Sequence, residues 1–333
     1  MKLDSLIDSP EQSRTAPSIR LLLDARKLGH GGIGNYLERL IGAFKADPNF
    51  SLTLIVTPEV FADPFLRRKY DIETVQLIAD AASPYSYDEY FNLAKRVPFR
   101  DFDVFHVPHY TLPYNVPIPT IVTIHDVIHI SHPEKFYYRG VAKRLIRSSM
   151  KRATKVLADS HATAWHLRSL LKPGSNHRSK INVVPVMRDT YYSLDLALGQ
   201  SLPELDLPTR YFLVVSSQPK PHKGLEDLLE VSQAFYKAGY RNGLKLLVVG
   251  SGSSLVETLL DSKYPFLKEH VDCRGFVSKH DLRQMYLRAR GVLVPSRAEG
   301  FGLPVIEARS MGLPTLVRPV PALCEVIDQE STV

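Results

Sequence analysis

Short aliphatic and β-branched runs alternate with stretches of helical periodicity along almost the whole chain, and they do so in two series. Runs at 19–24, 52–57, 74–79, 104–107, 120–124, 155–159 and 181–184 read as strands, with helical spacing over roughly 34–46, 86–96, 138–152 and 161–171. A second series places strands at 211–217, 245–250, 272–276, 291–295 and 314–319, with helices at 224–238, 254–262, 279–290 and 304–311. Strands separated by helices of this length pair in parallel, because each crossover returns the chain to the same edge of the sheet. The pattern therefore predicts an α/β chain of two doubly wound parallel-sheet domains. The weakly periodic, proline-bearing stretch 191–210 reads as the linker between residues 19–190 and 211–333, and the polar residues 1–18 read as a disordered lead-in.

No apolar run approaches the roughly 18–20 residues that cross a bilayer, and the N-terminus lacks the apolar core of a secretory signal. Two cysteines, Cys273 and Cys324, make no disulfide framework, so a cytoplasmic setting is expected, with Cys273 as a buried strand residue. The net charge of +7 is concentrated in the first 200 residues, and 135–155 holds eight basic residues and no acid. On a helix Lys143, Arg144, Arg147, Lys151 and Lys155 share a stripe opposite Ala142, Leu145, Ser149 and Ala153. Such a stripe suits an anionic membrane surface at the inner face or a plainly solvated helix; no nucleic-acid partner is expected.

The stretch GHGGIG at 29–34 is a literal G-x-G-x-x-G. A dinucleotide fingerprint needs its first glycine at the strand end and an acid about twenty residues on. Here ARKL separates Asp24 from Gly29, and Glu59 comes about thirty residues after Gly29, so both tests of context fail. What survives is physical: glycines let a ligand approach the backbone, and the helix opening near Gly34 aims free N–H groups at an anion. A ligand-free βα turn is the alternative.

PSRAEGFGLPVIEARSMGLP is more informative. A strand ends at Pro295, Gly300-Phe301-Gly302 forms a turn, and Pro304 sits at the first helical position, where proline is favoured. Glu299 stands in the loop and Glu307 in the first helical turn. Free amides at a helix start suit a diphosphate, and carboxylates accept sugar hydroxyls. Alone, Glu307 would be only a dipole complement worth about 0.3–1 kcal/mol.

The segment 291–326, GVLVPSRAEGFGLPVIEARSMGLPTLVRPVPALCEV, strongly resembles the hallmark of glycosyltransferase family 4, retaining nucleotide-sugar-dependent enzymes of GT-B fold, in which two Rossmann-like domains face a cleft. LDARKLGHGGIGNYLERL, VFHVPHYTLP, TIVTIHDVIHISHPEKF and YFLVVSSQPKPHKGLEDLLEV resemble further family segments in the expected order, so the likeness runs from about Ile19 to the end. It implies that Glu299 contacts the donor sugar and Glu307 the ribose. Amides of Gly300, Phe301, Gly302 and Leu303 would meet the sugar and diphosphate, and Lys223 would neutralise the phosphates. Gly31 and Gly32 would close over the diphosphate, His125 would reach the donor sugar, and Phe276 and Val277 would flank the base through their backbone. The first domain would serve the acceptor, a saccharide or lipid-linked saccharide.

Three departures stand out. His222 replaces the family's usual arginine before the lysine, and Ser216 its usual strand-end glycine; the usual PNG reads Pro185-Val186-Met187. The chain also stops at Val333 with five strands in a domain that usually has six, so the resemblance implies a truncated, incomplete second domain with looser closure and lowered turnover. No metal and no cofactor beyond the nucleotide sugar are expected. Asp101-Phe102-Asp103 is a literal D-x-D, but it precedes an apolar strand; His125, His129 and His132 follow a strand rather than sharing a helix face. GDP-mannose is the favoured donor, because similar chains are often mannosyltransferases, with a UDP-sugar as the alternative. The competing readings are a non-catalytic sugar-nucleotide-binding or membrane-surface protein and a GT-B epimerase.

Overall fold

The structure is a computed structural model and describes residues 18–194, 205–239 and 243–328. The expected lead-in, apart from its last residue, and the middle of the expected linker lie outside these residues. The first domain carries seven strands: β1 (Ile19–Asp24), β2 (Phe50–Val56), β3 (Gln76–Ala79), β4 (Val104–Val107), β5 (Thr120–Ile124), β6 (Lys155–Ala158) and β7 (Ile181–Val183). Their order across the sheet is β3-β2-β1-β4-β5-β6-β7. The second carries β8 (Arg210–Val215), β9 (Leu244–Val249), β10 (Val271–Arg274), β11 (Val292–Val294) and β12 (Thr315–Val317), in the order β10-β9-β8-β11-β12. Every pairing is parallel.

Both sheets are covered on both faces, which is why their strands read as continuous apolar runs. In β1, Leu22 points into a core with Ile55, Phe105 and Val122 beneath helices Tyr87–Arg96 and Phe136–Arg152, while its neighbour Leu23 points the other way, to Leu54 and Leu37 of helix Gly31–Ala46. The second domain repeats this. Leu213, Leu247 and Val292 face Tyr286 and Val305, and Val214, Leu246 and Val248 face Leu225, Leu229 and Val256.

Four helices lie in stretches without clear periodicity. Pro58–Ala62 and Pro64–Lys69 are opened by the side chains of Thr57 and Asp63, each followed by proline at the first helical position. Ile128–Ser131 follows β5, and Pro321–Asp328 follows β12.

Candidate functional site

In a doubly wound sheet a ligand binds beyond the carboxyl ends of the strands, where the strand order reverses. That point lies between β1 and β4 in one domain and between β8 and β11 in the other. The loops leaving these ends meet. Ser160, just past β6, donates its hydroxyl to the Gly300 carbonyl at 2.9 Å, and Thr163 donates to the carbonyls of His125 at 3.2 Å and Gly300 at 3.4 Å. A Cβ on Gly300 would collide with the His125 carbonyl oxygen, so glycine alone allows this approach. Glu325 accepts the amides of His161 and Ala162, the first turn of helix His161–Ser169, at 2.7 and 2.5 Å. Ion pairs Lys220–Glu134 at 2.7 Å and Lys279–Glu38 at 2.6 Å also bridge the domains.

On the second-domain wall, Glu299 Oε1 receives both the Lys223 ammonium and the Ser296 hydroxyl at 2.7 Å. Gly302 adopts φ 97° and opens helix Leu303–Ser310 with no side-chain cap. Among the described residues no acceptor pairs with the amides of Gly300, Phe301, Gly302 or Leu303. A carboxylate, a cation and a set of undirected N–H groups are thus gathered at one strand end, the chemistry that holds hydroxyls beside an anion. His222 is buried, and that burial with the adjacent Lys223 pushes its pKa down to about 4, so it brings no charge where the family has arginine. Ser216 is also buried and packs into a notch at Gly250 and Gly252.

Glu307 lies deeper. It is 7% exposed, and burial pushes its carboxyl pKa up to about 7. The Tyr286 hydroxyl donates to its Oε2 at 3.0 Å, and Arg39, from the first domain's helix Gly31–Ala46, comes within 3.6 Å of its Oε1. That helix begins at Gly31, with φ 58° and an uncapped first turn; Gly31 and Gly32 are both exposed. Phe276 is 94% exposed and Val277 half-buried, past the end of the edge strand β10.

His125 is held from both ends of its ring. Nδ1 lies 2.6 Å from Asp159 and Nε2 3.1 Å from the Pro108 carbonyl. Both partners offer acceptor oxygens, an arrangement that favours a proton on each ring nitrogen. Burial opposes that charge, yet the Asp159 carboxylate raises the pKa above its ordinary value. It is the His125 carbonyl, not the ring, that faces Gly300.

His129 and His132 do not join His125: His129 bonds the Tyr110 hydroxyl at 3.0 Å and His132 the Ser131 hydroxyl at 3.1 Å. The D-x-D lies before β4, at the amino ends of the strands and away from the cleft, where Asp103 pairs with Arg20 at 2.7 Å. Asp24, Glu89 and His109 do bring ligand-type atoms within 4.8 Å of one another. The Arg26 guanidinium sits 2.6 Å from both carboxylates, however, and fills the place a metal would take.

Tyr286 and Asp159 carry parts of this site from outside every motif, and Arg39 and Lys220 lie in family-like segments at positions that carry no assigned role there. Arg39, in LER, and Tyr286, in MYL, sit within amphipathic helices, where a lone polar residue has no distinguishing signal.

Two family models match the chain in tandem. Glycosyltransferase Family 4 matches residues 30–190 and Glycosyl transferases group 1 matches 203–332. The O-antigen chain mannosyltransferase RfbU of Salmonella typhimurium is 24% identical over 322 residues, covering 92% of this chain and 84% of that protein. The serotype-specific mannosyltransferase WbdA of Escherichia coli is 22% identical over 225 residues, 62% of this chain and 27% of WbdA. The crystal structure of Anabaena HepE in complex with UDP-glucose aligns with a TM-score of 0.68 at 16% identity, over 92% of this chain and 82% of that one. At that identity the likeness speaks for the fold.

Proposed function

We propose that this chain, which belongs to the family 4-like glycosyltransferases of GT-B fold, moves mannose from a nucleotide diphosphate sugar to a saccharide acceptor with retention of configuration. The observation that carries the reading is the joint of the two domains at Gly300, with Glu299, Lys223 and the unpaired amides of the Gly302 turn on one side and His125, held by Asp159, on the other. As the glycosidic bond breaks, negative charge gathers on the departing diphosphate. Fixed N–H dipoles and Lys223 stabilise that charge without reorganising, and so lower the barrier. Glu299 orients the sugar hydroxyls, Glu307 takes the ribose, and protein cations do the work a divalent ion does elsewhere.

Mannose is favoured because RfbU and WbdA are mannosyltransferases by name; the UDP-glucose in HepE keeps UDP-sugars as the alternative. A polysaccharide or lipid-linked chain follows as acceptor from the O-antigen chain named for RfbU. No helix among the described residues is long and apolar enough to cross a membrane. The basic helix Phe136–Arg152 supplies a surface contact instead: it exposes Arg144, Arg147 and Lys151 and, at its first turns, Phe136 (89% exposed), Tyr137, Tyr138 and Val141. Incubating the protein with GDP-mannose, UDP-glucose and UDP-galactose and following release of the nucleoside diphosphate tests the reading. Turnover of GDP-mannose above the others supports it, and turnover of none refutes it.

A further inference from the structure

Tyr85 holds φ 69°, a left-handed conformation that a bulky side chain avoids. Such strain persists only where the surroundings over-determine it, and here they do. The Tyr85 amide donates to Glu89 Oε2 at 2.6 Å; Glu89 Oε1 is gripped by Arg26 at 2.6 Å; Arg26 also donates to the Ala82 carbonyl at 2.8 Å. Asp80 takes the Ala82 amide at 2.9 Å and pairs with Arg96. A buried ionic cluster thus fixes the loop between β3 and helix Tyr87–Arg96 at several points, and with it the half-buried phenol ring of Tyr85.

That ring is the centre of an aromatic and polar niche. The Lys27 ammonium lies 4.4 Å above it, and the rings of His109 and Tyr110 stand 5.1 and 5.0 Å away. Tyr110 is in turn tied to His129. Asp126 lies near enough to both phenols to add to the effect of burial in raising their pKa values. One oxygen of Asp126 holds the Ile128 amide at 2.8 Å. Among the described residues its other oxygen and the Tyr85 hydroxyl have no hydrogen-bond partner. The Asp126 Cβ also abuts Gly300, next to Glu299.

An aromatic ring flanked by a cation, a carboxylate and a free hydroxyl suits a neutral pyranose: its C–H face lies on the ring, while donors and acceptors take its hydroxyls. We infer that Tyr85, with Lys27, Tyr110 and Asp126, forms the subsite for the terminal sugar ring of the saccharide acceptor. This rests on the proposed glycosyl transfer and names where the acceptor sits. The strain at Tyr85 fixes the angle of the platform, and the ionic cluster beneath it keeps that angle in the empty protein.

The test compares the parent with Tyr85→Phe, which keeps the ring, and Tyr85→Asn, which tolerates positive φ and removes it. Octyl α-D-mannopyranoside, α-D-glucopyranoside and β-D-galactopyranoside serve as acceptor probes, with GDP and UDP for the nucleotide site. Tyr85→Asn should raise KM for the best probe at least tenfold and Tyr85→Phe two- to fivefold, while nucleotide Kd by calorimetry stays within twofold of the parent. An unchanged probe KM in Tyr85→Asn overturns the inference. So does a parallel loss of nucleotide affinity, which would assign the niche to the donor. A parent that turns over a nucleotide sugar yet binds none of the three probes overturns it while leaving the proposed transfer standing; a parent that binds no nucleotide removes both.

Discussion

Replacing Glu307 by glutamine should make the protein more stable at alkaline pH and at the same time less able to hold a nucleotide. Burial raises the folded carboxyl pKa from 4.5 to about 7. Below pH 4.5 the group is neutral in folded and unfolded chains and costs nothing. Between pH 4.5 and 7 the unfolded chain loses the proton while the folded one keeps it, so stability falls as pH rises; above about 7 the full penalty applies. Two and a half units correspond to roughly 3 kcal/mol. The groups facing this carboxyl set its size: Tyr286, Arg39 and Lys279 favour ionisation, and Asp189 opposes it. Glutamine still accepts from Tyr286 but never ionises. At pH 8 its melting temperature should exceed the parent's by several degrees, at roughly 2–4 °C per kcal/mol, and at pH 4.5 the two should coincide. Nucleoside diphosphate binding should weaken by about 1.5–3 kcal/mol with loss of a charged acceptor, and the parent's own affinity should fall below about pH 7. Calorimetric scans from pH 4.5 to 8.5 check the first claim and titrations the second. A stability difference that does not vary with pH, or a variant less stable than the parent at pH 8, refutes the reasoning.

Lys223→Ala should cost nucleotide binding about 1.5–3 kcal/mol, a charge-assisted contact; unchanged calorimetric affinity would remove Lys223 from the phosphate site. Arg26→Met should destabilise the first domain by about 3–5 kcal/mol because it strands the buried Asp24 and Glu89 carboxylates, and denaturant melts showing no shift would contradict the account of that cluster. Transfer should survive EDTA; activity lost to the chelator and restored by Mn²⁺ would return Asp101 and Asp103 to consideration. Anionic liposomes should pull the protein down at low salt through helix Phe136–Arg152, at about 1 kcal/mol per cation near the surface, and equal recovery on neutral liposomes would dismiss the membrane contact.

The architecture was legible because strands covered on both faces cannot alternate polar and apolar residues, so runs such as LLLD and LLVV announce themselves. Boundaries were less so. The expected strand 314–319 is only Thr315–Val317, held short by Pro314 and Pro319 on either side. The glutamates, the lysine and their glycines could be singled out because a helix start that must leave its amides free needs glycine and proline at fixed places. The groups that tune them could not. Tyr286 and Arg39 sit at ordinary helical positions; Tyr286 reaches Glu307 through the packing of two helices of the second domain, and Arg39 only through the joining of the two domains. Tyr85 was invisible for another reason: nothing in SPYSYDEY marks a tyrosine held at positive φ, since the cause lies in Glu89 and Arg26.

The seating of Gly300 on the His125 carbonyl makes closure of this cleft an all-or-none event. A joint cushioned by long side chains can yield by degrees; here two stretches of main chain touch, with no methyl's width between them and two hydroxyls clasping one carbonyl oxygen. Close-packed joints of this kind switch between discrete arrangements rather than deforming continuously. In the proposed transfer, the dwell time of a spent nucleotide would then follow how often Ser160 and Thr163 let go of that oxygen. Selection acting on those two hydroxyls could pace the catalytic cycle without altering any atom that touches the sugar.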